Sequence, residues 1–114
     1  MQIKVIFPPR NMPETGDLDD QVREFMYQSP ANKVESALGL AWREFNTVNE
    51  DDPHVARKCR SMSIGDVAVA YDVLGERWFI VDTIGFKEVS ADKAGEWMKL
   101  SIRDRFMGPK AMGF

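Results

Sequence analysis

The sequence predicts one α+β domain over residues 1–114, an antiparallel sheet with a central β-hairpin packed against helices. Three observations predict it. Gln2 to Phe7 alternates in polarity, Asn32 opens a capped amphipathic helix, and two runs rich in β-branched and aromatic residues, Val67 to Val73 and Trp78 to Ile84, flank a glycine turn. The expected order is strand, helix, helix, strand, strand, helix. A chain of this length buries roughly 65% of the surface its unfolded form exposes, enough for a core without disulfides.

Ile3, Val5 and Phe7 share one face of the first strand, and Pro8-Pro9 ends it. Arg10 to Gly16 carries Pro13 and Gly16 with no apolar period and reads as a loop. Asp17 is then a candidate cap for a helix whose first turn holds Asp19 and Asp20 and whose stripe is Leu18, Val22, Phe25 and Met26, stopped by Ser29-Pro30. In the next helix Asn32 and Glu35 have the form of a capping box. Val34, Ala37, Leu38, Ala41, Trp42 and Phe45 keep the helical period, while Gly39 costs about 1 kcal/mol against alanine and marks a close helix contact. Asn46 to Pro53 reads as a polar, acidic loop.

Val67, Val69, Tyr71 and Val73 alternate with Ala68, Ala70 and Asp72, as in a strand packed on both faces. Leu74 to Arg77 makes the turn, Trp78 to Ile84 pairs back, and Gly85 bends the chain before Phe86 to Val89. Ser90 caps a last helix with Ala94, Trp97, Met98 and Ile102 as its stripe, ended by Gly108-Pro109. Phe114 closes a tail that either frays or tucks into a groove. The capped helix needs a partner for its stripe, so Trp42, Phe45, Val67, Val69, Phe79 and Val81 are expected to meet in one core. Trp42→Ala would then cost about 3 to 5 kcal/mol.

The single cysteine, Cys59, excludes an internal disulfide and suits a reducing cytoplasm, and the stretch from Gln2 to Phe7 is too short and too charged for a signal peptide or membrane span. A net charge of -3 argues against blanket phosphate neutralisation. Acids dominate the first half, where Asp19, Asp20, Glu50, Asp51 and Asp52 are the candidate partner-binding residues. Basic residues gather at Arg57, Lys58 and Arg60 and again at Arg103, Arg105 and Lys110. With Tyr71 or Trp78 as a stacking surface, these are the candidate nucleic-acid contacts.

No catalytic constellation is expected. His54 and Cys59 invite a thiol-imidazole dyad, but nothing in sequence orients the histidine. Asp66, Asp72, Asp82 and Glu76 match no metal loop, and Asp66 after Gly65 reads as a turn carboxylate accepting backbone amides. The glycines fall in turns or helix interiors rather than in a phosphate-cradling loop, so neither a metal nor a nucleotide cofactor is expected.

Arg60-Ser61-Met62-Ser63-Ile64-Gly65-Asp66-Val67, followed by an aromatic strand ending Ile84-Gly85-Phe86 and preceded by Trp42 to Val48, resembles small proteins of phages and plasmids described as YodL-like. The resemblance covers Trp42 to Val89 and implies a mobile-element setting in a bacterial cytoplasm. It imports no role for Asn46, Arg60, Ser61, Ser63, Gly65 or Asp66. The resulting expectation is a non-catalytic accessory protein that binds and modulates a host protein. The alternative is a nucleic-acid-binding regulator.

Overall fold

The computed structural model describes residues 1–12, 17–19, 22–46 and 61–114, with 10–12 and 17–19 described for their backbone only. Five antiparallel strands form the main sheet: β1 (Gln2–Phe7), β4 (Arg23–Gln28), β5 (Val67–Asp72), β6 (Gly75–Val81) and β7 (Phe86–Val89), in the order β4-β1-β5-β6-β7. β2 (Arg10–Met12) and β3 (Asp17–Asp19) form a separate two-stranded ribbon. With α1 (Val34–Asn46), α2 (Ala91–Met98) and α3 (Ile102–Phe106), the architecture is α+β.

The register sorts the side chains. Ile3, Val5 and Phe7 lie opposite Tyr27, Phe25 and Arg23 on β4, and Ile3 and Val5 lie opposite Ala70 and Ala68 on β5. Ala68 in turn faces Phe79, so this face is lined by small residues at its centre, and α1 packs there through Val34, Ala37, Leu38, Ala41 and Phe45. Phe7, Phe25 and Phe45 close its far end, with ring centroids 5.7 to 6.1 Å apart. The opposite face presents Ile6, Val67, Val69 and Ile80, which α2 covers with Trp97. Phe114 packs against that indole at 5.1 Å, so the tail tucks in rather than frays.

Four sequence expectations are corrected here. Residues 23–28 form an edge strand, not a helix: Phe25 and Tyr27 alternate with more exposed neighbours, and pairing with β1 satisfies a row of backbone groups that a helix here would leave open. Arg10–Met12 is a short strand rather than a loop. The hairpin turn falls at Val73–Leu74, because Asp72 pairs with Gly75 and the Asp72 carboxylate accepts from the Leu74 amide. The last helix is two helices, since Ser101 caps α3 by accepting from the Asp104 amide just as Ser90 caps α2 at Lys93.

The single core foreseen for Trp42, Phe45, Val67, Val69, Phe79 and Val81 is divided by the sheet. Alternation of period 2 sends Val67 and Val69 to the α2 side, while Phe45, Phe79 and Val81 stay with α1. Trp42 belongs to neither buried set.

Candidate functional site

α1 packs over β1 and β5, and beyond its exposed flank the same sheet face carries a groove toward β7. Glu35, Gly39 and Trp42, spaced by four and three residues, form a helical stripe one step round from the buried one and make the wall of a groove there. Arg77, Phe79 and Val81 from β6, with Phe86 and Glu88 from β7, form its floor, and Ile64 and the Asp82 to Gly85 turn close one end. The part beside Trp42 has a volume of about 500 Å³. Trp42 is 38% exposed and meets the Phe86 ring edge-on at 6.4 Å.

The exposure of Trp42 sets its contribution to stability. A tryptophan that keeps this much of its surface in water has less to lose than a core one, so Trp42→Ala is expected to cost about 1 to 2 kcal/mol, not 3 to 5. Urea unfolding of the two proteins measures it. A loss above about 3 kcal/mol would return Trp42 to the core.

The floor is held by charge. The Arg77 guanidinium donates through Nε and Nη2 to the two Glu88 oxygens at 2.9 and 2.8 Å, lies 3.8 Å from Asp72, and covers the Phe79 ring at 5.5 Å. That fork holds the Glu88 carboxyl below the ordinary glutamate value and raises Arg77 above its own. The sign follows: a depressed carboxylate helps the fold above the ordinary glutamate range, and the help is lost as pH falls through the depressed value.

At the closed end, Asp82 Oδ1 accepts from the Thr83 amide at 2.7 Å, and the Asp82 amide donates to the Gly85 carbonyl at 2.9 Å. Gly108 packs so closely that a β-carbon there would stand 2.5 Å from that Oδ1. Among the described residues Asp82 Oδ2 has no partner. Gly39 fails as a close helix contact: a β-carbon added to it meets nothing within 4 Å, and the space above it is the groove itself.

The other carboxylates of the hairpin are spent locally. Asp66 is buried and accepts from the Ser63 amide at 2.8 Å, the turn role its sequence context indicated. Glu76 accepts from the Trp78 indole at 3.3 Å. No group of three His, Cys, Asp or Glu among the described residues is placed to hold a metal ion, and none of the described helices is long and apolar enough to cross a membrane.

Of the residues singled out as partner-binding, Asp19 lies in β3 opposite Arg10, whereas Asp20, Glu50, Asp51 and Asp52 fall outside the described residues. Arg57, Lys58 and Arg60 fall outside them as well, and so do His54 and Cys59. Arg103 and Lys110 are exposed. Arg105 is buried, and its Nη2 donates to the Pro9 carbonyl, so this guanidinium is turned away from any surface ligand. Tyr71 and Trp78 pack with the Trp97 cluster, and Lys4 sits 5.9 Å over the Trp78 ring.

Trp42 lies on the helix its period predicts but on the exposed flank rather than the buried one. Trp42 follows the core alanine Ala41 by one residue, about 100° of helical rotation, and that step was the available signal. Comparison with protein-family models, with curated proteins and with solved structures finds no match to this chain.

Proposed function

We propose that this chain is a non-catalytic binding protein whose contact surface is the groove between α1 and the β6–β7 pair. A half-exposed tryptophan on a regular helix, set beside an open apolar groove, carries the reading. Tryptophan combines a large apolar area with few rotatable bonds, and interfaces concentrate binding energy at such anchors. The resemblance of Trp42 to Val89 to small phage and plasmid proteins supports a host protein as the partner and modulation of that host protein as the outcome.

The test is capture from bacterial lysate with three baits: the native chain, Trp42→Ala and Gly39→Leu. The leucine enters open groove space and gains about 1 kcal/mol of helix propensity, so it blocks the surface without unfolding the bait. A partner held by the native chain and lost by both variants is the expected result. Equal retention by all three would reject the groove, and no specific partner across several lysates would reject the binding reading.

The nucleic-acid alternative retains Arg103 and Lys110 as exposed cations and loses Arg105 to the interior. Mobility shifts with duplex and single-stranded probes at low salt decide it. Steep weakening with added salt is its signature.

A further inference from the structure

The charge around the groove is one-sided. Three carboxylates line it, Glu35, Asp82 and Glu88, against one guanidinium, Arg77, which Glu88 and Asp72 already engage. Asp82 differs from the other two because it closes the apolar end, where Trp42 and Phe86 stand at right angles with their centroids 6.4 Å apart. The Thr83 amide takes one of its oxygens, and the other has no partner among the described residues. A carboxylate facing an apolar, half-enclosed space is complemented by a cation that brings an apolar stem with it. Such a ligand covers the aromatic rings and satisfies the oxygen in one step.

We propose that the groove receives an arginine side chain from an extended segment of a partner protein, its guanidinium on Asp82 and its stem laid across the exposed surfaces of Trp42 and Phe86. This deepens the binding reading and rests on the groove being the contact surface. Arginine fits better than lysine because its planar guanidinium stacks on an aromatic ring while its edge donates to a carboxylate, whereas an ammonium is a compact, strongly hydrated charge. A volume of about 500 Å³ exceeds what one side chain fills, leaving room for a residue flanking the arginine. Two glycines let that backbone come close: Gly39 in the wall and Gly85 in the turn each have open space where a β-carbon would stand. The chain's acidic balance favours the same class of partner.

The probe is Nα-acetyl-arginine methylamide, titrated into ¹⁵N-labelled protein, with the citrulline and lysine counterparts alongside. Citrulline keeps the shape and removes the charge. The expected result is movement of the Trp42 indole and Thr83 amide signals with a dissociation constant on the order of millimolar, the range a ligand this small can reach. Citrulline should bind about fivefold more weakly or worse. Asp82→Asn, which keeps an acceptor for the Thr83 amide, should reduce arginine to the citrulline level. Equal binding of arginine and citrulline, an unchanged affinity in Asp82→Asn, lysine matching arginine, or no movement at tens of millimolar would each overturn the assignment. Failure here leaves the groove to its own test: if Gly39→Leu still loses the captured partner, the groove stands and its arginine is removed.

Discussion

Trp97→Ala is expected to destabilise the protein by about 3 to 5 kcal/mol, a large part of the roughly 5 to 15 kcal/mol that holds a domain of this size together. The ring is fully buried among Ile6, Val67, Val69 and Ile80. Its Nε1 donates to the Gly65 carbonyl at 2.8 Å, and Phe114 abuts it edge-on at 5.1 Å. Alanine removes the largest side chain on that face, opens a cavity no neighbour can fill, and leaves the Gly65 carbonyl without its indole donor. Trp97→Phe separates these effects, keeping most of the packing and losing the hydrogen bond, with an expected cost of about 1 to 3 kcal/mol. Urea unfolding followed by far-ultraviolet circular dichroism measures both. A cost below about 1 kcal/mol for alanine would mean that α2 does not cover this face of the sheet.

The contrast between Trp97 and Trp42 shows where sequence patterns inform and where they stop. Both tryptophans fall on apolar helical stripes, Trp97 in a helix that ends sooner than its sequence suggests, and period alone treats the two alike. What period cannot supply is how far the partner surface extends. α2 lies over the Val67 and Val69 side of β5 and its indole is enclosed, whereas α1 settles on Ala68 and Ala70 and meets β7 through the half-exposed Trp42 against Phe86. The bulky and small faces of β5 were legible in its alternation, so packing on both sides followed. Which helix took which face did not.

Residues 17–28 show the opposite difficulty. Leu18, Val22, Phe25 and Met26 satisfy a helical stripe, and the acids at 17 and 19 look like a capped first turn. Arg23 to Gln28 also satisfies an alternating strand with Phe25 and Tyr27 on one face. A short segment can carry both periods, and the choice is then made by a neighbour it cannot see: β1 needs a partner on its outer side, and the ladder with β4 supplies it. The groove stayed hidden for a related reason. Asp82 and Phe86 are ordinary hairpin residues until the turn between them is folded against Gly108 and set opposite Trp42.

Gly65→Ala is expected to cost about 3 kcal/mol or more, with the loss arising from two sources that add. Gly65 has φ +93, where an L side chain is strained, and the strain alone is worth about 1 to 2 kcal/mol. Its β-carbon would also stand 2.8 Å from the Arg105 β-carbon and 2.9 Å from the Arg105 carbonyl oxygen. Backbone is in the way, so α3 must shift. α3 is not free to do so cheaply, because the Arg105 guanidinium donates to the Pro9 carbonyl beyond the end of β1. The Gly65 amide is meanwhile committed to the Val81 carbonyl at 2.9 Å and its own carbonyl to Trp97. One methyl group therefore strains the contacts that join β5, β6, α2 and α3. Gly39→Ala is the control, since the same methyl enters open space in an ordinary helical position and should gain up to about 1 kcal/mol. A measured loss for Gly65→Ala no greater than about 1 kcal/mol would mean that α3 does not press on this turn.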